Sequence, residues 1–88
     1  MSAAAIVGKS VAGGVITGPG APTVLVNGSA VSTLGDAVTP HGDPPHSSAT
    51  IIKSSKTVFA QGIGIVRAGD KASCGHSVGR GSPNVFVG

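Results

Sequence analysis

Glycine and proline punctuate this chain so closely that no window remains in which a substantial helix could run. Fifteen glycines and six prolines are spread over 88 residues. Each raises the entropy cost of a helix interior or removes a hydrogen-bond donor from it. The early "SAAAIV" could begin a helical turn, but Gly8, Gly13 and Gly14 stop it from extending. What is left are short runs of Val, Ile and Ala between turn residues. They predict an all-β domain of short strands joined by tight turns.

Length allows one small domain, residues 1–88, with no extension domain expected. Its core is thinly supplied, with no Trp, no Tyr and two phenylalanines, Phe59 and Phe86. Cys74 is the single cysteine, so no internal disulfide can brace the fold. Domains of this size commonly lean on a metal or a partner instead.

Self-similarity runs through the chain. "GPGAPTVLVNG" (Gly18 to Gly28) and "GRGSPNVFVG" (Gly79 to Gly88) share Gly-x-Gly-x-Pro-x-Val-x-Val, a turn feeding a strand. "KTVFAQG" (Lys56 to Gly62) is a weaker third version. Asn27-Gly28 after "VLV" is a strong hairpin signal. A second element recurs as "VGKSVAGGVI", "LGDAVTPHG" and "AGDKASCGH". Aligned on Gly8, Gly35 and Gly69, these place Gly14, His41 and Gly75 six residues further on. The chain therefore reads as three rough repeats, spaced by 27 and 34 residues, with the longer insertion "GDPPHSS" in the second. The expected object is pseudo-threefold, each repeat one face around a thin shared core.

Charge excludes little but points away from nucleic acid. The net charge of +3 comes from Lys9, Lys53, Lys56, Lys71, Arg67 and Arg80 against Asp36, Asp43 and Asp70. The basic residues are scattered, without interleaved aromatics for base stacking, so no specific nucleic-acid partner is expected. The N-terminal segment lacks a basic start and is broken by glycines, so no signal peptide is read there, and no transmembrane span is found.

Metal-binding side chains are few and patterned. His41, His46, Cys74 and His76 are the histidines and the cysteine of the chain. His41 and His46 flank Gly42-Asp43-Pro44-Pro45, whose prolines stiffen the loop that aims both imidazoles. Cys74 and His76, one residue apart, are expected on the same side of an extended segment, with Gly75 giving the backbone room to bend. His41 and the Cys74/His76 pair occupy equivalent turns of the second and third repeats. Gly13-Gly14 at the same place in the first repeat would leave space for an ion. Three His and one thiolate make a closed tetrahedral set of the kind zinc takes, and a closed site argues for structure over catalysis. Zn2+ would tie together loops that lie far apart in sequence.

Other readings are weaker. A Cys74/His76 nucleophile pair competes poorly with chelation in so small a chain. Asp36 and Asp70, each following an aligned glycine, could be paired acid/base groups, but repeated Gly-Asp more naturally makes turns whose carboxylates accept backbone N–H bonds. "GPGAP" and "GRGSP" lack the Gly-Lys-Ser/Thr ending of a phosphate loop. A non-enzyme is expected; the competing class is a small metal- or Cys-dependent enzyme of unknown substrate.

"VRAGDKASCGHSVGRGSPNVFVG" resembles the second half of PAAR-repeat proteins, and "LGDAVTPHG" resembles the same family's Gly-Asp-x4-His-Gly turn. The Pro-Ala-Ala-Arg tetrapeptide that names the family is absent; "SAVSTLGD" and "GIGIVRAGD" stand there, with Arg67 alone retained. The resemblance implies a small cone of short strands with zinc near its apex. His41, Cys74 and His76 match the family's motif turns. His46, in the insertion, is the remaining candidate for the fourth ligand. It further implies a membrane-piercing tip on a trimeric spike of the VgrG type in type VI secretion, or on its phage-tail equivalent. Effector proteins are possible further partners, and contact with the target membrane would be transient. Such a protein would assemble on the spike in the cytoplasm and then be delivered outside, or belong to a virion. A pseudo-threefold monomer can cap a true trimer using similar contacts from each repeat. Val24, Val26, Val85 and Val87, with Leu25 and Phe86 on the opposite strand face, would supply both the core and an apolar base for docking.

Overall fold

The computed structural model describes residues 2–42, 47–82 and 85–87. His46, the expected fourth metal ligand, lies outside the described residues. Among those described there is no helix, in keeping with the all-β expectation. Nine short strands follow one another: β1 (Ser2–Ala3), β2 (Val11–Ala12), β3 (Gly14–Gly18), β4 (Ala21–Val26), β5 (Ser29–Val31), β6 (Ala37–Val38), β7 (Phe59–Ala60), β8 (Ile63–Gly64) and β9 (Phe86–Val87). They pair antiparallel as β1–β9, β2–β3–β6, β4–β5 and β7–β8.

Two of these pairs are hairpins closed by two residues with positive φ, Asn27 (53°) and Gly28 (84°), then Gln61 (53°) and Gly62 (80°). That conformation matches the twist of the flanking strands. Val26 faces Ser29 across the first turn and Ala60 faces Ile63 across the second. The next rungs are Leu25 with Ala30 and Phe59 with Gly64. The same two rungs appear where the first and last strands meet, as Ser2 with Val87 and Ala3 with Phe86.

Past the hairpins the chain enters a cyclic arrangement. Bridges link Ile6 to Val31, Thr33 to Ile65 and Arg67 to Ala4, each residue two before an aligned glycine meeting one four before the next. Between these bridges, Ala5 N–H donates to Val66 O, Val66 N–H to Ser32 O and Ser32 N–H to Ala5 O, each at 2.9 Å. Three backbone segments thus satisfy one another in a closed ring, leaving none of these buried amides to desolvation.

The turns that follow also repeat their bonding. Gly8, Gly35 and Gly69 have φ of 81°, 92° and 95°, where a side chain would be strained. Their N–H groups donate to Ile16 O, Ile51 O and Val78 O. A side-chain oxygen then accepts a backbone N–H across each turn: Ser10 Oγ from Ile6 (2.8 Å), Asp36 Oδ2 from Thr33 (3.0 Å) and Asp70 Oδ2 from Arg67 (2.8 Å). The Gly-Asp turns do what their residue types predict. Ser10 fills the role in the first turn from one position further along, so the Gly-Asp pattern does not reveal it. Asp70 also holds the Arg67 guanidinium through Nε (3.1 Å) and Nη2 (2.8 Å), a hydrogen-bonded pairing that raises the arginine's pKa above its ordinary value.

Two apolar clusters stack on either side of the ring. One gathers Val26, Ala60 and Val87 from the three strand pairs β4–β5, β7–β8 and β1–β9 with Ala4, Ile6, Ala21, Val31 and Ile65. The other gathers Ile16, Ile51 and Val78 with Ala5, Ala12, Val38, Ala49, Val66 and Ala72, and Cys74 packs against it. Val26 and Val87 are therefore core residues, while Leu25 and Phe86 face outward.

Candidate metal centre

The second cluster ends in a group of side chains carried by two separate turns. After β6 the chain runs Thr39-Pro40-His41, and Thr39 fastens it to β3: Val15 N–H donates to Thr39 Oγ1 and Thr39 N–H to Val15 O, both at 2.9 Å. The carbonyl of the same threonine lies 2.9 Å from His41 Nδ1. A carbonyl can only accept, so Nδ1 carries the proton and Nε2 presents its lone pair, the outer-shell arrangement typical of ligating histidines.

Cys74 and His76 sit on a tight turn rather than the extended segment their spacing predicts. Gly75 N–H and Ala72 N–H donate to Ala72 O and His76 O respectively, at 3.0 and 2.9 Å. Ser73 N–H is anchored to Thr50 O at 2.7 Å. The i,i+2 spacing still brings both side chains to one point because the backbone reverses between them, with Gly75 at φ 93°.

The three groups converge. His41 Nε2 is 3.1 Å from His76 Nδ1 and 3.5 Å from Cys74 Sγ, and Cys74 Sγ is 3.4 Å from His76 Nδ1. Zinc bonds of about 2.0–2.1 Å to nitrogen and about 2.3 Å to sulfur give tetrahedral edges of about 3.3–3.6 Å. The observed triangle is close to one face of such a tetrahedron, so the cluster could hold a metal ion. His41 and Cys74 are half-buried and His76 is exposed, which places the group at the surface on an apolar floor.

Gly13 forms part of that floor. A Cβ there would collide with His76 Nδ1 and His41 Nε2, and one on Gly14 with Thr39. The two small residues clear the space expected of them in the first repeat. Of the four sequence-predicted ligands, the structure brings His41, Cys74 and His76 together; His46 is outside the described residues. Thr39, which orients His41, was not singled out by sequence, although a threonine two residues before a histidine was there to be read. Phe59 was passed over too. With Leu25 and Phe86 it occupies the same rung of three strand pairs, and the three are 61%, 57% and 50% exposed.

With this geometry in view, comparison with protein-family models finds the PAAR motif at residues 8–78 and 41–88, together all but the first seven residues. The chain belongs to the PAAR-motif family. PAAR motifs are known from the spike-tip proteins of contractile injection systems, and the family is a structural one. The matched stretches contain all three members of the cluster and all three aligned turns. No curated protein matches the chain.

Proposed function

We propose that this PAAR protein is a metal-fastened tip that caps a trimeric spike of the VgrG type, or its phage-tail equivalent, and sharpens it for membrane piercing. The observation that carries this reading is the placement of Leu25, Phe59 and Phe86. Each stands exposed on the corresponding rung of its strand pair, and each faces a residue five positions before an aligned glycine. Three large apolar groups set out in this way suit a threefold-symmetric partner, which offers the same pocket three times.

In this reading the metal is zinc, held by His41, Cys74 and His76 with His46 as fourth ligand. Bound there, it supplies cross-linking and no chemistry: a closed set leaves no position for a reacting water. The role of the ligands is to join the β6 loop to the Cys74 turn over the Gly13 floor. The protein would act as a non-enzymatic component, assembled on its spike in the cytoplasm and carried outward, or incorporated in a virion.

Co-expression with a VgrG-type trimer tests the assignment. Native mass spectrometry should find one chain and one zinc per three spike chains. A metal-loaded protein that fails to associate with the trimer would defeat the capping role, and a folded protein without metal would defeat the zinc.

A further inference from the structure

One flank of the molecule carries a groove that the three repeats do not share. Leu34, Ile52, Lys53, Ser54, Lys56 and Arg67 enclose a cavity of about 450 Å³. Its segment from Ile52 to Lys56 follows the insertion of the second repeat. The residues aligned with Leu34 in the other repeats are Val7 and Ala68, both half-buried, whereas Leu34 is 43% and Ile52 55% exposed. The threefold pattern of Leu25, Phe59 and Phe86 therefore does not account for the exposure of Leu34.

The groove is preformed. Ser55 N–H donates to Ile65 O, and Ser55 Oγ accepts from Thr57 N–H (3.2 Å) and Val58 N–H (2.9 Å). Gly64 lets this segment lie close, since a Cβ there would collide with Ser54 Oγ and Ser55 O. Arg67, gripped by Asp70, donates from Nη2 to Ser54 O at 3.2 Å and fixes the wall. A ligand would meet little ordering cost.

Its chemistry is mixed, cationic at the exposed Lys53 and Lys56 and aliphatic at Leu34 and Ile52. Among the described residues the carboxylates, Asp36 and Asp70, are both buried and turned to their own turns, so the described lining of the groove carries cationic side chains and no exposed carboxylate. No aromatic side chain lines it among the described residues, which disfavours base stacking. A recessed cleft with two exposed lysines is also a poor match for a flat anionic bilayer, which is recognised by larger basic clusters.

We infer that this groove binds an acidic peptide segment of a partner protein, one in which Asp or Glu side chains neighbour Leu, Ile or Val. The carboxylates would reach Lys53 and Lys56 while the aliphatic side chains cover Leu34 and Ile52. The site is occupied once per chain, on a segment that packs beside Gly64 of the β7–β8 hairpin.

The test is an NMR titration of the isotopically labelled full chain with a panel of short blocked peptides alternating Asp or Glu with Leu, Ile or Val. Shifts should concentrate at Leu34 and residues 52–56. The double substitution Lys53→Glu/Lys56→Glu, at exposed positions that leave the fold intact, should weaken binding by about tenfold or more, and Ile52→Ser should weaken it measurably. The inference is overturned if no panel member binds below about 1 mM, if shifts fall elsewhere, or if the double substitution has no effect. Equal lysine-dependent binding of a short oligothymidylate, or of phosphatidylglycerol vesicles, would also overturn it by reducing the groove to non-specific charge.

Discussion

The two apolar clusters are built from the same kinds of residue but closed in different ways. The hairpin-side cluster is sealed by strand pairs whose rungs recur three times, and it presents large apolar side chains outward. The cluster under the candidate metal centre has, among the described residues, the single three-stranded sheet and otherwise relies on isolated bridges and turns, ending at Cys74, His41 and His76. Backbone pairing suffices where strands can close on one another. Where the chain runs into turns, His41, Cys74 and His76 converge, and in the proposed reading a metal held there does the fastening in a domain without a disulfide or a large aromatic core.

This contrast can be broken most severely at the ligands. Chelation, or Cys74→Ser, is expected to remove most of the stability of the metal side, since structural zinc contributes on the order of 10 kcal/mol in small domains. Hydrogen exchange should show it: amides of Ala12, Val38 and Ala72 lose protection while those of Val31 and Ile65 keep more of theirs. Uniform loss across both clusters would show that the halves are one cooperative unit.

A smaller cut compares the clusters directly. Ile51→Ala, at 1% exposure, should cost about 3 kcal/mol in denaturant unfolding, and Val31→Ala in the other cluster about 2 kcal/mol. If the metal masks damage on its own side, the first loss should grow when zinc is withdrawn.

The turns sharpen the comparison. Asp36 accepts from Gly20 N–H, Ser32 Oγ, Thr33 N–H and Thr33 Oγ1, more than Ser10 does at the equivalent turn. Asp36→Ala is expected to cost about 3 kcal/mol and Ser10→Ala about 1 kcal/mol, measured by thermal melts. The smallest effect on stability should come from Leu25→Ser, Phe59→Ser and Phe86→Ser. Their exposure keeps each within about 0.5 kcal/mol, while capture by a VgrG-type trimer should fall with every one.

Much of this was legible in the residues because turn chemistry is local. Glycine at Gly8, Gly35 and Gly69 marked the recurring turns, Asn27-Gly28 announced a hairpin, and the histidines and cysteine marked two converging turns. What stayed hidden was set by packing between distant segments. The alternation of "VLV" and "VFV" could not say which face is core until Val26 and Val87 are seen in the hairpin-side cluster. Phe59 was obscured because its repeat, "TVFAQG", lacks the Gly-x-Pro lead of the others. The Cys74 turn was misread as extended because i,i+2 side chains can share a side in either conformation. The groove depends on Arg67 meeting Ser54 across 13 positions, which no local pattern encodes.

The pairing of β1 with β9 gives the molecule the connectivity of a bracelet with its clasp at one of three matching links. Ser2 and Val87 stand to each other as Val26 and Ser29 do across Asn27-Gly28. A two-residue Asn-Gly link from Val87 to Ser2 should therefore close the clasp, and the chain could then be reopened at Asn27 or at Gln61. Such a circular permutant would carry its ends to a different hairpin, so whatever is fused there could be moved from one strand pair to another while Leu25, Phe59, Phe86 and the His41, Cys74 and His76 cluster keep their places.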